Sequence, residues 1–145
     1  MLTKTIIAAV RESLLAICHP RFFKTERGYQ GELLAVLRSR LPVLQIADGQ
    51  VIVEQEYQKT LHLHGFKHRP DLLIHEPFNS LHHIDRRQGN YAVFELKRRS
   101  TPKKAQEDFR SLLQIMTVLH YPLAFFINID SQATQIAHAP NNFPG

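Results

Sequence analysis

Apolar and polar residues alternate with two periodicities along this chain, and each periodicity predicts a different kind of secondary structure. Apolar side chains recur every three or four positions, as on one face of a helix, in three segments: residues 3–18, 28–42 and 101–120. Shorter segments alternate or are apolar throughout, as strands do: residues 51–58, 68–77, 91–97 and 121–129. Residues 59–65 fit either a strand or a bend, and residues 78–90 and 138–145 fit irregular structure.

The third predicted helix has the clearest boundary. Thr101 is a suitable N-cap, and Pro102 suits the first helical position because that position needs no backbone donor. Its apolar stripe is predicted to contain five side chains: Phe109, Leu112, Leu113, Met116 and Leu119. In the second helix we place Glu32 in the first turn, where a carboxylate complements the helix dipole.

The element order predicts an α/β fold. It runs helix, helix, strand, strand, strand, helix, strand, which describes an α/β sandwich with a mixed sheet flanked by helices. The 145 residues, 43% of them hydrophobic, suffice for a single domain with its own core, and no linker divides them. Residues 121–129 are apolar almost throughout, which predicts a strand buried on both faces.

Composition and charge narrow the expected partners and compartment. The net charge of +5 and the pI of about 9.6 favour an anionic partner such as nucleic acid. The single cysteine, Cys18, excludes an internal disulfide, a four-cysteine zinc site and a cysteine-ligated iron–sulfur cluster, and we expect it in the core. Three charged residues interrupt the apolar N-terminal segment: Lys4, Arg11 and Glu12. They argue against a signal peptide or a membrane span, so we expect a cytoplasmic protein with no membrane partner.

The segment NYAVFELKRRS, residues 90–100, places charged residues at the end of an apolar strand. Alternation puts Glu95 and Lys97 on the same face of this strand. Asp71 stands at the start of the preceding strand, directly after a proline. If the two strands pair antiparallel, the start of one meets the end of the other, and the carboxylates of Asp71 and Glu95 converge.

Two converging carboxylates favour a site for a hard cation such as Mg²⁺, which takes oxygen ligands together with waters and phosphate oxygens. The carbonyl of Leu96 is a further candidate ligand, and Glu32 is a candidate for holding a bound water or a second ion. A cation-bound water is a better nucleophile toward phosphorus. The Lys97 ammonium is a candidate for orienting that water or for stabilising the transition state.

These features resemble the PD-(D/E)xK nuclease superfamily. The letters PD in RPDLLI match the first half of its signature, ELK in FELK matches the second half, and GELL supplies an earlier helical glutamate. The element order of residues 31–129 matches the core of its restriction-endonuclease-like fold, and residues 1–20 form a helix outside that minimal core. Gln114 is followed four positions later by Val118, where one large branch has tyrosine, so the resemblance does not extend to a subfamily.

The resemblance implies a role for each signature residue. Asp71, Glu95 and Glu32 hold Mg²⁺, or Mn²⁺ in its place, together with the Leu96 carbonyl, and Lys97 assists the attacking water. The implied reaction is phosphodiester hydrolysis, with DNA as the expected substrate. Cutting both strands of a duplex favours a homodimer, for which the first predicted helix is the candidate surface.

Basic residues near the proposed site are candidates for phosphate contacts, which position nucleic acid without reading its sequence. They are Lys67, Arg69, Arg98, Arg99, Lys103, Lys104 and Arg110. Polar residues of the third helix are further candidates near the site: Lys104, Gln106, Asp108, Arg110 and Gln114.

Each candidate also has a purely structural interpretation. The basic residues could form a solubilising face, and Glu95 with Lys97 could be an exposed ion pair of small energy. Asp71 could be a turn residue after proline, and Glu32 could serve only the helix dipole. Nine histidines raise a zinc hypothesis, but five of them show no recognised ligand spacing: His62, His64, His68, His82 and His83.

Other functional classes stay open beside the nuclease. The chain could keep the fold without cutting, as a nucleic-acid-binding or assembly subunit, or it could bind the phosphate of a metabolic ligand. No glycine-rich phosphate loop and no Gly-x-Ser-x-Gly motif is present, which argues against a nucleotide-driven motor and an ordinary serine hydrolase. The choice between DNA and RNA also stays open, as does a gating role for residues 78–90.

Overall fold

The structure is a computed structural model, and it describes residues 2–41, 51–55, 69–77, 79–81, 83–85, 87–130 and 135–140. Its elements are α1 (Leu2–Ala16), a 3₁₀ helix (Pro20–Phe23), α2 (Glu26–Arg40), β1 (Ile52–Gln55), β2 (Leu72–His75), β3 (Asn90–Arg98), α3 (Pro102–Val118), β4 (Leu123–Ile129) and β5 (Gln135–Pro140). The three predicted helices and four predicted strands are present in the predicted order. None of the helices described is long and apolar enough to cross a membrane.

The five strands form one mixed sheet in the order β1-β2-β3-β4-β5. β1, β2 and β3 pair antiparallel in succession, and so do β4 and β5. β3 and β4 run parallel, and α3 forms the crossover that parallel neighbours require. The predicted α/β fold with a mixed sheet is confirmed.

Helices pack on both faces of the sheet and bury two apolar clusters. The side chains of β4 alternate between the clusters: Leu123, Phe125 and Ile127 face α1 and α2, and Ala124 and Phe126 face α3. Every β4 side chain is buried, which confirms the predicted burial on both faces. Burial of a large apolar side chain contributes about 1.5–3 kcal/mol, so the two clusters fix the central strands.

Local capping sets where α2 and α3 begin. Thr25 is the N-cap of α2, and its hydroxyl accepts a hydrogen bond from a first-turn N–H at 2.9 Å. The acidic residue in the first turn is therefore Glu26, and the prediction that Glu32 lies there is wrong. α3 begins as predicted, with Thr101 as its N-cap and Pro102 at the first helical position.

The apolar stripe predicted for α3 packs on the sheet. Its members are buried fully or in part against one cluster: Leu112, Met116 and Leu119 fully, Phe109 and Leu113 in part. Ile115 belongs to the same buried stripe, because it lies three positions after Leu112.

Two predictions outside the main elements are wrong. Cys18 is exposed rather than buried, because it follows the end of α1 and lies before the 3₁₀ helix. Residues 138–140 are not irregular but belong to β5, which pairs antiparallel with β4. Residues 59–65 and 141–145 lie outside the described residues.

Candidate functional site

One edge of the sheet brings together the start of β2 and the ends of β3 and β4. β2 runs antiparallel to β3 with Leu72 opposite Phe94, so Asp71, which precedes β2, lies beside Glu95. The N–H of Asp71 donates to the carbonyl of Phe94 at 3.1 Å, which extends the pairing to this residue. The predicted antiparallel pairing is confirmed, and it places the two carboxylates at the same edge.

The Asp71 carboxylate is held by the neighbouring backbone. Its Oδ2 accepts a hydrogen bond from the N–H of Leu96 at 2.7 Å, and Nε2 of Gln30 in α2 donates to the Asp71 carbonyl at 3.2 Å. Burial raises the pKa of Asp71, and the charge of Glu95 raises it further, to about 6. The Leu96 hydrogen bond and the Lys97 ammonium oppose this rise and do not cancel it. The charged form of Asp71 therefore has an energetic cost that a bound cation would remove.

Glu95 and Lys97 form an ion pair on the face of β3 that α3 covers. Val93 packs in the cluster beneath α3, and alternation puts Glu95 and Lys97 on the same face as Val93. Nζ of Lys97 lies 3.3 Å from Oε1 of Glu95, and the Glu95 side chain is only 4% exposed. This burial argues against a solvated surface pair. Partial burial lowers the pKa of Lys97, but the charge and hydrogen bond of Glu95, together with other carboxylates, raise it above its ordinary value.

α2 contributes a carboxylate to this edge from its first turn. Oε1 of Glu26 accepts a hydrogen bond from the N–H of Arg98 at 3.1 Å. The negative charge of Glu26 also acts on both Asp71 and Lys97. Glu26 is therefore a functional candidate that the sequence analysis missed.

The sequence prediction begins the second helix at residue 28 and so leaves Glu26 outside it. Glu32 lies about 120° around the helix axis from Glu26, at 3.6 residues per turn, so the two side chains leave the helix in different directions. Gln30, about one turn after Glu26, shares its face of the helix. Thr25 followed directly by Glu26 is the signal that marks the true helix start, because threonine caps a helix and an acid suits its first turn.

Arg98 and Arg99 share one carboxylate at the end of β4. Oδ2 of Asp130 lies 3.0 Å from Nη2 of Arg98 and 2.8 Å from Nε of Arg99. Nε of Arg98 also donates to the carbonyl of Phe23 at 3.0 Å, which ties the 3₁₀ helix to the sheet. Arg98 therefore has a structural role, whereas Arg99, which is 62% exposed, is accessible to a phosphate.

The ends of β3 and β4 are strained. Arg99 and Asp130 both adopt the left-handed region, with φ of 55° and 54°. A residue other than glycine costs roughly 1–2 kcal/mol in this conformation. Asn128, which is buried, holds the turn through two hydrogen bonds of 2.9 Å to the backbone of Ser100. Strain of this kind clusters at functional sites, which agrees with the position of the carboxylates.

The remaining basic and polar candidates that the structure describes lie in two places. Three exposed residues lie close to the edge: Arg69 shortly before β2, and Lys103 and Lys104 in the first turn of α3. Arg110 and Gln114 instead border a shallow apolar groove of about 300 Å³ on α3. Lys67 lies outside the described residues.

Two described histidines, His75 and His83, lie near carboxylates at the opposite end of β2 from Asp71. Nε2 of His75 lies 2.7 Å from Oε2 of Glu54, and Nε2 of His83 lies 3.6 Å from Oε1 of Glu76. Within the described ranges, no group of three or more His, Cys, Asp or Glu could hold a metal ion. Four further histidines fall outside those ranges: His62, His64, His68 and His82.

Asp71 and Glu95 fit a hydrated magnesium ion. Mg²⁺ is bound through one or two carboxylates, and waters and substrate phosphates complete its octahedral shell. The two carboxylates are adjacent, and burial together with their mutual repulsion raises the pKa of Asp71. A divalent cation offsets both effects. The two oxygen donors suit Mg²⁺ better than zinc, which takes three or four ligands that are mostly nitrogen or sulfur.

Asp71→Asn should stabilise the protein at neutral pH. The pKa of Asp71 is raised from 3.8 to about 6, so the folded protein binds more protons than the unfolded chain between these values. Protonation of Asp71 therefore stabilises the folded protein fully below pH 3.8, and this stabilisation is lost as the pH rises through about 6. Asparagine keeps an acceptor for the Leu96 N–H and removes the charge, which should add on the order of 1–2 kcal/mol to the unfolding free energy at neutral pH.

Urea unfolding in a chelating buffer, at acidic and at neutral pH, measures this difference. Asp85→Asn is the control, and it should lower the unfolding free energy at neutral pH. Hydrogen bonds from Arg87 lower the pKa of Asp85, so its charged form stabilises the fold. An Asp71→Asn protein that is less stable than the unaltered chain at neutral pH would contradict the raised pKa.

Arg98→Ala should destabilise the protein more than Arg99→Ala. Arg98 loses a hydrogen bond to the Phe23 carbonyl as well as its contact with Asp130, and such charge-assisted bonds contribute about 1.5–3 kcal/mol. The exposed Arg99 pair contributes about 0–1 kcal/mol. Each variant removes one positive charge and so controls for the other. Urea unfolding compares them, and equal losses would show that the Phe23 contact contributes nothing.

Comparison of the chain with protein-family models, with curated proteins and with solved structures finds no match. The chain's own residues are therefore what indicates its function. At the carboxyl ends of two parallel strands they form two adjacent carboxylates, an ion pair between the buried Glu95 and Lys97, and a turn with left-handed residues.

Proposed function

We propose that this chain is a magnesium-dependent nuclease of the PD-(D/E)xK type that hydrolyses phosphodiester bonds, with DNA as the expected substrate. The observation that carries the proposal is the meeting of the Asp71 and Glu95 carboxylates, with Lys97 paired to Glu95, where β3 ends. Ligands of α/β sheets bind at such carboxyl ends. The order α2-β1-β2-β3-α3-β4 agrees with the core of the restriction-endonuclease-like fold, and α1 lies outside that core.

Asp71 and Glu95 would hold Mg²⁺, or Mn²⁺ in its place, with waters and substrate oxygens completing the shell. When bound, the ion lowers the pKa of a coordinated water and offsets charge on the phosphate. The Leu96 N–H, 2.7 Å from Oδ2 of Asp71, fixes this carboxylate before the ion arrives. Lys97 holds a positive charge beside the reacting phosphate, where it orients the attacking water or stabilises the transition state. The Leu96 carbonyl is the remaining candidate ligand.

Buried carboxylates favour a catalytic site over a surface that only binds phosphate. Binding alone needs basic residues, and each carboxylate weakens attachment to a polyanion. Glu95 is buried, and burial together with Glu95 raises the pKa of Asp71, so the fold maintains both carboxylates at a cost. A divalent cation removes that cost. The non-cleaving subunit and the domain for a metabolic phosphate are therefore secondary candidates.

Phosphate contacts would come from exposed basic residues around the edge, in particular Arg69, Arg99 and Lys103. Such contacts position the backbone of a nucleic acid and do not read its bases, so they supply no sequence specificity. Arg98 is a weaker candidate, because its guanidinium binds Asp130 and the Phe23 carbonyl. A homodimer would place two sites on a duplex, with α1 as the candidate contact surface.

The unaltered protein should cut nucleic acid in Mg²⁺, and Glu95→Gln should reduce the rate at least about 10²-fold, because it removes a proposed ligand of the ion. The substrate is identified by testing four forms of DNA: supercoiled plasmid, linear duplex, single strand and four-way junction. The linear duplex and the single strand are also tested as RNA. Glu107→Gln removes an exposed carboxylate of α3 and should cut normally. Ca²⁺ in place of Mg²⁺ should support binding without cutting.

Two other results would replace the proposal. Salt-sensitive binding without cutting in Mg²⁺ or Mn²⁺, unchanged by Glu95→Gln, would indicate a non-cleaving subunit. Thermal stabilisation by inorganic phosphate or a nucleotide, without binding of any nucleic acid, would indicate a domain for a metabolic ligand.

Glu26→Gln should reduce magnesium-dependent cutting more than Glu32→Gln. The charge of Glu26 acts on Asp71 and Lys97, so its loss should lower the rate about tenfold, as loss of an outer-shell partner of a metal does. Glu32 leaves the same helix about 120° away and should change the rate less than about twofold. Both variants remove one charge from α2, so each controls for the other. A larger loss of activity with Glu32→Gln would indicate that Glu32, as predicted from the sequence, is the functional glutamate of α2.

A further inference from the structure

α3 places one charged residue on the stripe that packs against the sheet. Asp108 lies three positions after Ala105 and four before Leu112, and both of these pack on the cluster beneath the helix. The Asp108 side chain is only 16% exposed. Because desolvation of a charge is costly, a carboxylate in this position calls for a cationic or hydrogen-bonding partner.

One oxygen of this carboxylate is unsatisfied. Oδ1 of Asp108 lies 3.5 Å from Nζ of Lys104, whereas Oδ2 is buried and accepts no hydrogen bond from the residues that the structure describes. Lys104 is 61% exposed and also lies 3.9 Å from Oε2 of Glu107, so it neutralises Asp108 only weakly. The carboxylate can therefore accept a second cationic group.

Lys97 is the cationic group on the facing strand. α3 covers the face of β3 that carries Glu95 and Lys97. The ring of Phe109, next to Asp108, lies 6.5 Å from the ring of Phe126, which pairs with Glu95 in the register of β3 and β4. The negative charge of Asp108 acts on Lys97. Lys97 thus has carboxylates both on its own strand and on the helix above it.

We propose that Asp108 is a positioning residue, which receives the Lys97 ammonium when Glu95 gives its carboxylate to a divalent cation. This role rests on the proposed function of the site. Oε1 of Glu95 lies 3.3 Å from Nζ of Lys97, so an ion bound to Glu95 and the ammonium would repel each other strongly. The lysine has a flexible four-carbon stem and is 31% exposed, so it can move without disturbing the core.

Asp108 would determine where the Lys97 ammonium lies during the reaction. The Lys97 ammonium can leave Glu95 and remain at the site only if a second carboxylate receives it. Asp108 keeps it between β3 and α3, beside the position of the reacting phosphate. In the absence of Asp108, Lys97 stays on Glu95 and competes with the ion for the same oxygen atoms.

Calorimetric titration with Ca²⁺ tests this exchange without turnover. Asp108→Asn should lower the Ca²⁺ affinity about tenfold, a change typical of outer-shell partners, whereas Glu107→Gln should leave it unchanged. The effect should disappear in the Lys97→Met background, because no ammonium then competes for Glu95. A general loss of negative charge would instead lower affinity equally in both backgrounds, so the double-mutant cycle separates the two causes.

Lys104→Met is a second variant that keeps the carboxylate and removes its exposed partner. It should leave the Ca²⁺ affinity unchanged or raise it, because Asp108 then binds Lys97 without competition. Urea unfolding in chelator shows whether each variant is folded. If Asp108→Asn does not fold, a lowered affinity in Lys104→Met overturns the inference, and an unchanged or raised affinity supports it.

The outcomes separate this inference from the proposed function. If the unaltered protein binds Ca²⁺ and cuts in Mg²⁺, but Asp108→Asn behaves like Glu107→Gln or loses affinity equally in the Lys97→Met background, only the role of Asp108 is overturned. If the unaltered protein neither binds Ca²⁺ nor cuts any substrate, the proposed function is overturned and the role of Asp108 with it.

Discussion

The register of β2 on β3 determines the candidate site. Leu72 lies opposite Phe94, and the N–H of Asp71 continues this pairing by donating to the Phe94 carbonyl at 3.1 Å. A slip of one residue would turn Asp71 to the other face of the sheet, into the apolar cluster beneath α1 and α2. The buried side chains of β2, which supply both clusters, exclude that slip. The same apolar contacts that hold the sheet together therefore also place Asp71 beside Glu95.

This placement costs stability, and the surrounding structure offsets only part of the cost. The Leu96 N–H and the Lys97 ammonium stabilise the carboxylates, yet burial and Glu95 still raise the pKa of Asp71 to about 6. The left-handed residues at the ends of β3 and β4 add strain at the same edge. None of these features adds to stability, and a divalent cation bound at the proposed site would offset the cost of the carboxylates.

The parts of the site that follow from local rules were predictable from the sequence, and the parts that depend on distant contacts were not. Alternation along β3 puts Glu95 and Lys97 on one face, and chain order suggests the pairing that brings Asp71 to them. Glu26 was missed because the apolar stripe that indicates the helix lies further along the chain, in the buried α2 residues from Tyr29 to Leu37, so the predicted helix began at residue 28. Two arginines share Asp130, and β5 pairs with β4. Both features depend on contacts between distant residues, which the periodicity of the sequence does not predict.

The distribution of charge around the edge explains why the proposed reaction would require a cation. The chain has a net charge of +5, but the residues nearest the ends of the strands include the carboxylates of Asp71, Glu95 and Glu26, against the ammonium of Lys97. A phosphate approaching these carboxylates alone would be repelled. Exposed basic residues beside the edge attract the polyanion, and a divalent cation between the carboxylates would neutralise their excess negative charge. Basic surroundings with an acidic centre thus suit metal-assisted cleavage, whereas a protein that only binds phosphate would place its basic residues at the centre.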